Sequence, residues 1–208
     1  MPGISILVMA LALGLSSNAS DKLPDFPTGT VLVWKSENRG YTSEFVIRIA
    51  HYRPDLYFEW ESGNTQGTVL LKQRAVERAK RYTSSKLIQP GADIETKDET
   101  CYWLSQVLFL ELKNKGRTTW MLDGIKAELV LTGNSDFNLQ LNQQSQSVGL
   151  LEARDSRGGT WGFLDDENNP ILVFRQLNTY REELASVSTN RPSSLRWIKG
   201  KRLLKSRP

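Results

Sequence analysis

SEFVIRIAHYRPDLYFEWES, residues 43–62, holds two alternating patterns separated by one turn. Phe45, Ile47 and Ile49 share a face opposite Glu44, Arg48 and Ala50, which is the period of two that a half-buried strand requires. Leu56, Phe58 and Trp60 repeat the rule against Tyr57, Glu59 and Glu61, and Arg53-Pro54-Asp55 supplies the turn between them. The stretch predicts a β-hairpin with one large apolar face. Burying each such side chain contributes about 1.5–3 kcal/mol, so the face requires a cover.

Working outward, Thr30–Ser36 (TVLVWKS) reads as a strand before the hairpin, and Gly63–Gly67 turns the chain into Thr68–Lys72, which makes a meander. Gln73–Arg81 breaks the alternation: Ala75, Val76 and Ala79 suit a short helix carrying Arg74, Arg78, Lys80 and Arg81 outward. Tyr82–Gln89 is expected to return to strand until Pro90-Gly91. A longer helix follows. Trp103, Leu104, Val107, Leu108 and Leu112 form its apolar stripe, Thr100 or Ser105 is the available N-cap, Lys113 and Lys115 suit the C-terminal end of the dipole, and Gly116 stops it. This helix is the expected cover for the sheet.

Alternation then resumes. Arg117–Leu122 and Ile125–Thr132 flank Asp123-Gly124, a two-residue hairpin signal. Phe137, Leu139 and Leu141 begin another run, and Ser147–Arg154, Thr160–Leu164, Ile171–Arg175 and Tyr180–Ser188 complete the series between turns. The fold expected is mainly β with minor α: a curved antiparallel sheet, an open or half barrel, covered by one helix.

The two ends read differently from this body. Ile4–Leu15 is a short apolar run followed by small residues, which predicts a signal peptide over residues 1–19 cut after Ala19 and a periplasmic or secreted protein. The run is shorter than the roughly 20 residues that span a bilayer, and the residue directly after the cut is Ser20, not a cysteine that could carry a lipid anchor, so an integral membrane protein is not expected. The half-barrel domain is placed at 28–189 and a basic tail at 190–208. Arg191, Arg196, Lys199, Lys201, Arg202, Lys205 and Arg207 face no acid from Leu184 onward, so the net +4 of the 208 residues leaves −3 for the rest. Such a tail is a solvated extension or an adhesive for anionic surfaces; no specific nucleic-acid partner is predicted.

Catalytic chemistry is poorly provided for. His51 is the only histidine and Cys101 the only cysteine, with no G-x-S-x-G elbow, C-x-x-C or H-E-x-x-H pattern around either. Asp165-Asp166-Glu167 lacks calcium-loop spacing and leads into Asn168-Asn169-Pro170, a turn. Glu59 and Glu61 share a strand face that reads as solvated, and Gly158-Gly159 lies between strands, not before a helix. We therefore expect no enzyme, no catalytic residues, no cofactor and no metal site.

The order of parts is similar to the half-barrel superfamily of the periplasmic outer-membrane lipoprotein carrier and its receptor, and more closely to periplasmic members of unknown function. The resemblance is carried by TVLVWKS, by YWLSQVLFLEL (Tyr102–Leu112) and by RDSRGGTWGFLDDENNPILVF (Arg154–Phe174) followed by a strand at Tyr180. It implies binding of lipid, acyl chains or another apolar segment on the concave side, without covalent catalysis. Phe45, Ile47, Phe58 and Trp60 of the hairpin and Trp103, Val107 and Leu108 of the helix are the residues expected to face each other there. A helix packed flush makes them core, and one that stands off leaves a cleft for an apolar ligand. The two functions carried forward are an exported carrier of lipid or acylated ligands and a non-catalytic envelope interaction protein that uses the basic tail.

Overall fold

The computed structural model describes residues 26–189; the run read as a signal peptide and the basic tail lie outside them. The first four strands, β1 (Val31–Asn38), β2 (Tyr41–Tyr52), β3 (Leu56–Ser62) and β4 (Thr65–Leu71), form the expected antiparallel meander. A middle segment holds α1 (Gln73–Arg78), β5 (Arg81–Tyr82), β6 (Asp93–Thr96), β7 (Glu99–Thr100) and α2 (Gln106–Lys115). A second meander follows: β8 (Arg117–Leu122), β9 (Ile125–Leu141), β10 (Gln144–Asp155), β11 (Thr160–Leu164), β12 (Leu172–Leu177) and β13 (Tyr180–Ser188).

The first strand pairs with the last. Antiparallel pairing of β1 with β13, from Val31 opposite Ser188 to Asn38 opposite Tyr180, joins the two meanders. All thirteen strands thus lie in one curved sheet, ordered β6-β4-β3-β2-β1-β13-β12-β11-β10-β9-β8-β5-β7, which does not close into a barrel. Only Lys97 and Asp98 separate β6 from β7, the strands at the two opposite ends. An extended chain covers at most about 11 Å between Thr96 and Glu99. The sheet therefore curls until its ends nearly meet, and this seam is where the chain crosses.

This topology determines what fills the concave side. The chain leaves one meander at β4 and enters the other at β8, so the middle segment must run across the opening between them. The sequence reading placed α2 over the β2–β3 hairpin; instead it packs against β8 and β9, beside α1. Trp103 and Leu104 precede the helix. Their backbones are already committed, Trp103 in a bridge with Ile171 and Leu104 N–H to Pro170 O at 2.9 Å. Ser105 is the N-cap, accepting from Leu108 N–H at 3.4 Å, and Gly116 ends the helix at φ +70°, where a β-carbon would be disfavoured.

Two strand boundaries also differ from expectation. The runs at Ile125–Thr132 and Phe137–Leu141 are one strand of 17 residues, β9, whose far end adds a parallel pairing of Ser186 with Gln140 and Val187 with Leu141. Beyond Tyr82 the chain is irregular, because β5 is held only by short parallel pairings to β7 and β8. The Asp123-Gly124 hairpin forms as read, with φ of +51° and +83°. On β11 a β-carbon at Gly162 would lie 2.2 Å from Phe174 Cε1, so the ring of Phe174 requires glycine there. Among the described residues no helix is long and apolar enough to cross a membrane.

Candidate functional site

The hairpin residues named above do share one face, and that face is closed. Phe45, Ile47, Phe58, Trp60, Trp103 and Leu108 are all buried; Val107 is half-buried and packed against the same core. Phe45 stacks on Trp60 at 5.8 Å, and Phe58 meets Trp103 at 5.7 Å. The cover is Cys101–Trp103 of the irregular segment between β7 and α2. Tyr102 lies parallel to Phe45 at 4.8 Å and against Trp34 at the same distance. The sequence reading brought together the four hairpin residues and Trp103, but it missed Tyr102. Its signal was present only as one aromatic residue in an apparent helix.

Tyr102 leads to a charged group within this aromatic interior. Its hydroxyl donates to Glu182 Oε1 at 3.0 Å, and Arg175 Nε lies 2.6 Å from Glu182 Oε2, an ion pair without the alignment of a hydrogen bond. Both side chains are almost wholly buried, at 7% and 2% exposure. The cross-strand register places Arg175 of β12 directly opposite Glu182 of β13, so the two point inward together. Arg175 also donates to Ser84 O and Tyr180 Oη, both at 3.4 Å, and its guanidinium lies over the Tyr180 ring at 5.2 Å. Burial works against the charge of Arg175, but Glu182 and the surrounding tyrosine oxygens outweigh it and raise its pKa. Burial, reinforced by Glu182, pushes the Tyr102 hydroxyl well up, so it remains a donor.

The remaining titratable groups are arranged as structure. His51 is exposed on β2 opposite Tyr57. Cys101 is buried, and that burial raises its thiol pKa, which leaves little thiolate. Asp166 accepts from Asn168 N–H at 2.9 Å within a turn. Glu61 takes a two-pronged bond from Arg48, at 2.8 and 3.1 Å. Among the described residues no group of three His, Cys, Asp or Glu could hold a metal ion.

Carboxylates held below their ordinary range, Asp55, Glu61 and Glu111, make the fold sensitive to acid. The hydrogen bond from Arg48 holds Glu61 below the usual carboxylate range, and those from Thr118 and Lys80 do the same for Glu111. Their stabilisation is present above the unfolded value of about 4.3 and is lost as pH falls through the lower folded values. Urea midpoints measured between about pH 2 and pH 6 should therefore fall towards the acid end. In Glu61→Gln that fall should be shallower.

A second feature lies on the surface, at the seam. Here α1, the β5 strand and the Lys97–Asp98 crossing enclose an open concavity of about 600 Å³. Arg74, Arg78, Lys80, Arg81 and Lys97 line it, with only Glu77 and Asp98 as acids in the lining. Arg74 reaches Asp98 at 3.2 Å and so ties α1 to the seam. Comparison of the chain with protein-family models, with curated proteins and with solved structures finds no match.

Proposed function

We propose that the protein is an exported, non-catalytic interaction protein that meets its partner through positive charge, and that its aromatic interior is structural core. One observation carries this reading: Tyr102 and Trp103 occupy the concave side themselves, Tyr102 stacked on Phe45 and Trp103 tilted against Phe58. They are tied in place by backbone bonds, Leu172 N–H to Tyr102 O at 2.7 Å and Leu104 N–H to Pro170 O at 2.9 Å. An acyl chain would have to displace both rings and break the Tyr102–Glu182 bond inside a low-dielectric interior. The excess positive charge of the tail supplies the contact surface.

A second reading, the carrier of lipid or acylated ligands in a half-barrel like those of the lipoprotein carriers, draws on two features of the same aromatic interior. Tyr102 sits at φ +57°, an uncommon conformation for an aromatic residue, and the buried indole N–H groups of Trp60 and Trp103 have no acceptor. Phe45, Ile47, Phe58, Trp60, Trp103, Val107 and Leu108 would then line the ligand.

Native mass spectrometry after gentle extraction separates the two. The mass of the bare chain, together with no uptake of a fluorescent fatty acid, is the expected result. A co-purifying lipid that is lost in a folded Trp60→Glu variant would overturn the interaction reading and establish the carrier.

A further inference from the structure

We propose that the concavity at the sheet seam is a binding site for phosphate-bearing anions. This inference deepens the interaction reading, on which it rests, by naming a place on the domain and a ligand chemistry. The five cations converge from separate pieces of chain: Arg74 and Arg78 from α1, Lys80 from the linker, Arg81 from β5 and Lys97 from the β6–β7 crossing. Arg74 and Arg78 are also four residues apart on one helix, a spacing at which like charges destabilise the helix. Nothing in the packing demands this crowding, since the apolar contribution of α1 to the core is Ala75 and the partly buried Val76.

The acids nearby leave part of the charge unanswered. Glu111 takes Lys80 at 3.1 Å and Asp98 takes Arg74 at 3.2 Å, but Glu99 lies 4.0 Å from Arg81 and is nearer to Lys86, at 3.4 Å. Arg78 has, among the described residues, only its neighbour Glu77 as an ion-pair partner, at 4.0 Å, and is 81% exposed. Among the described residues Lys97 has no ion-pair partner. Arg78, with one distant and exposed pair, and Lys97, with none, are therefore the cations least answered among the described residues, in a concavity with the volume of a small-molecule site. Guanidinium forks beside ammonium groups match the oxygens and multiple charge of a phosphate ester better than the single charge of a carboxylate.

The test uses the full mature chain and two probes, inorganic pyrophosphate by titration calorimetry and phosphatidylglycerol vesicles by co-sedimentation. These separate a soluble phosphate from a lipid head group. Arg78→Glu/Lys97→Glu alters only exposed side chains, and circular dichroism checks its fold. Lys35→Glu/Lys126→Glu, also exposed, makes the same charge change elsewhere. For at least one probe, the seam variant should bind about tenfold more weakly or worse, while the control stays near wild type. Loss on pyrophosphate points to a soluble ligand, and loss confined to vesicles points to a head group. Failure of the wild type to bind either probe at low salt, or an equal loss in the control variant, would overturn the site. If the seam variant keeps wild-type binding of both probes while deleting Arg191–Pro208 abolishes vesicle binding, the seam inference fails and the interaction reading stands. A co-purifying lipid in the interior would remove that reading and leave the seam result untouched.

Discussion

Glu182→Leu is expected to destabilise the domain by about 3–5 kcal/mol, because it strands a buried guanidinium. In the folded chain Arg175 and Glu182 are cross-strand neighbours 2.6 Å apart, and the same carboxylate accepts the Tyr102 hydroxyl. Removing the carboxylate leaves Arg175 with two long bonds, at 3.4 Å, and leaves Tyr102 without its acceptor. Leaving a buried charge uncompensated is what makes breaking such a pair expensive, while replacing both members can be neutral or stabilising. The double variant Arg175→Met/Glu182→Leu should therefore recover the part of the loss that comes from the stranded guanidinium, and keep the smaller part that comes from the unpaired Tyr102 hydroxyl. Urea unfolding of the two single variants and the double variant measures this coupling. A double variant as unstable as the sum of the singles would show that the pair contributes nothing as a pair.

Trp161→Ala should cost a similar amount, about 3–5 kcal/mol, by opening a cavity at the centre of the second aromatic cluster. Trp161 is fully buried on β11, edge-on to Trp120 at 5.1 Å, near Tyr82 at 5.8 Å, and stacked on Phe163 at 6.3 Å. Its indole N–H donates to Asp155 Oδ2 at 2.6 Å. Asp155 is itself buried; its other oxygen, Oδ1, accepts from Arg157 N–H at 2.7 Å and Gly159 N–H at 3.2 Å, so the carboxylate keeps partners on that side when the indole is gone. Trp161→Phe should accordingly lose less, about 1–3 kcal/mol for the missing hydrogen bond and ring volume. The same urea series reads both variants. An alanine variant within about 1 kcal/mol of wild type would mean that the cluster relaxes into the space.

Parts of the candidate site were legible in the sequence and parts were not. Alternation at Phe45, Ile47, Phe58 and Trp60 identified the buried face, because a strand sends successive side chains to opposite sides. The cluster of Arg175, Glu182 and Tyr102 was invisible. These residues lie up to 80 positions apart, and in the sequence each resembles an ordinary surface arginine, surface glutamate or helix tyrosine. What brings them together is the β12–β13 register and the path of the middle segment, neither of which leaves a local pattern. The basic residues of the seam concavity were readable as an outward charge on α1, but the contribution of Lys97 was not. It arrives there because the chain crosses between the two ends of the sheet.

The sequence by itself determined most strands of the two meanders, the Asp123-Gly124 hairpin, the Gly116 stop and the apolar face of the β2–β3 hairpin, and it narrowed the helix cap to Thr100 or Ser105. Each depends on contacts within a few residues, where steric limits on φ and the alternation of side chains act directly. Tertiary structure alone decided what covers that face. Pairing of β1 with β13 joins the two meanders and sends β4 and β8 towards opposite ends of one curled sheet, so the 73–116 segment has to span the opening. Tyr102 and Trp103 fill the interior for that reason, and the helix read as the cover packs on β8 and β9 instead. Side-chain types state which surface must leave water, but the non-local pairing of the chain's two ends states what meets it there.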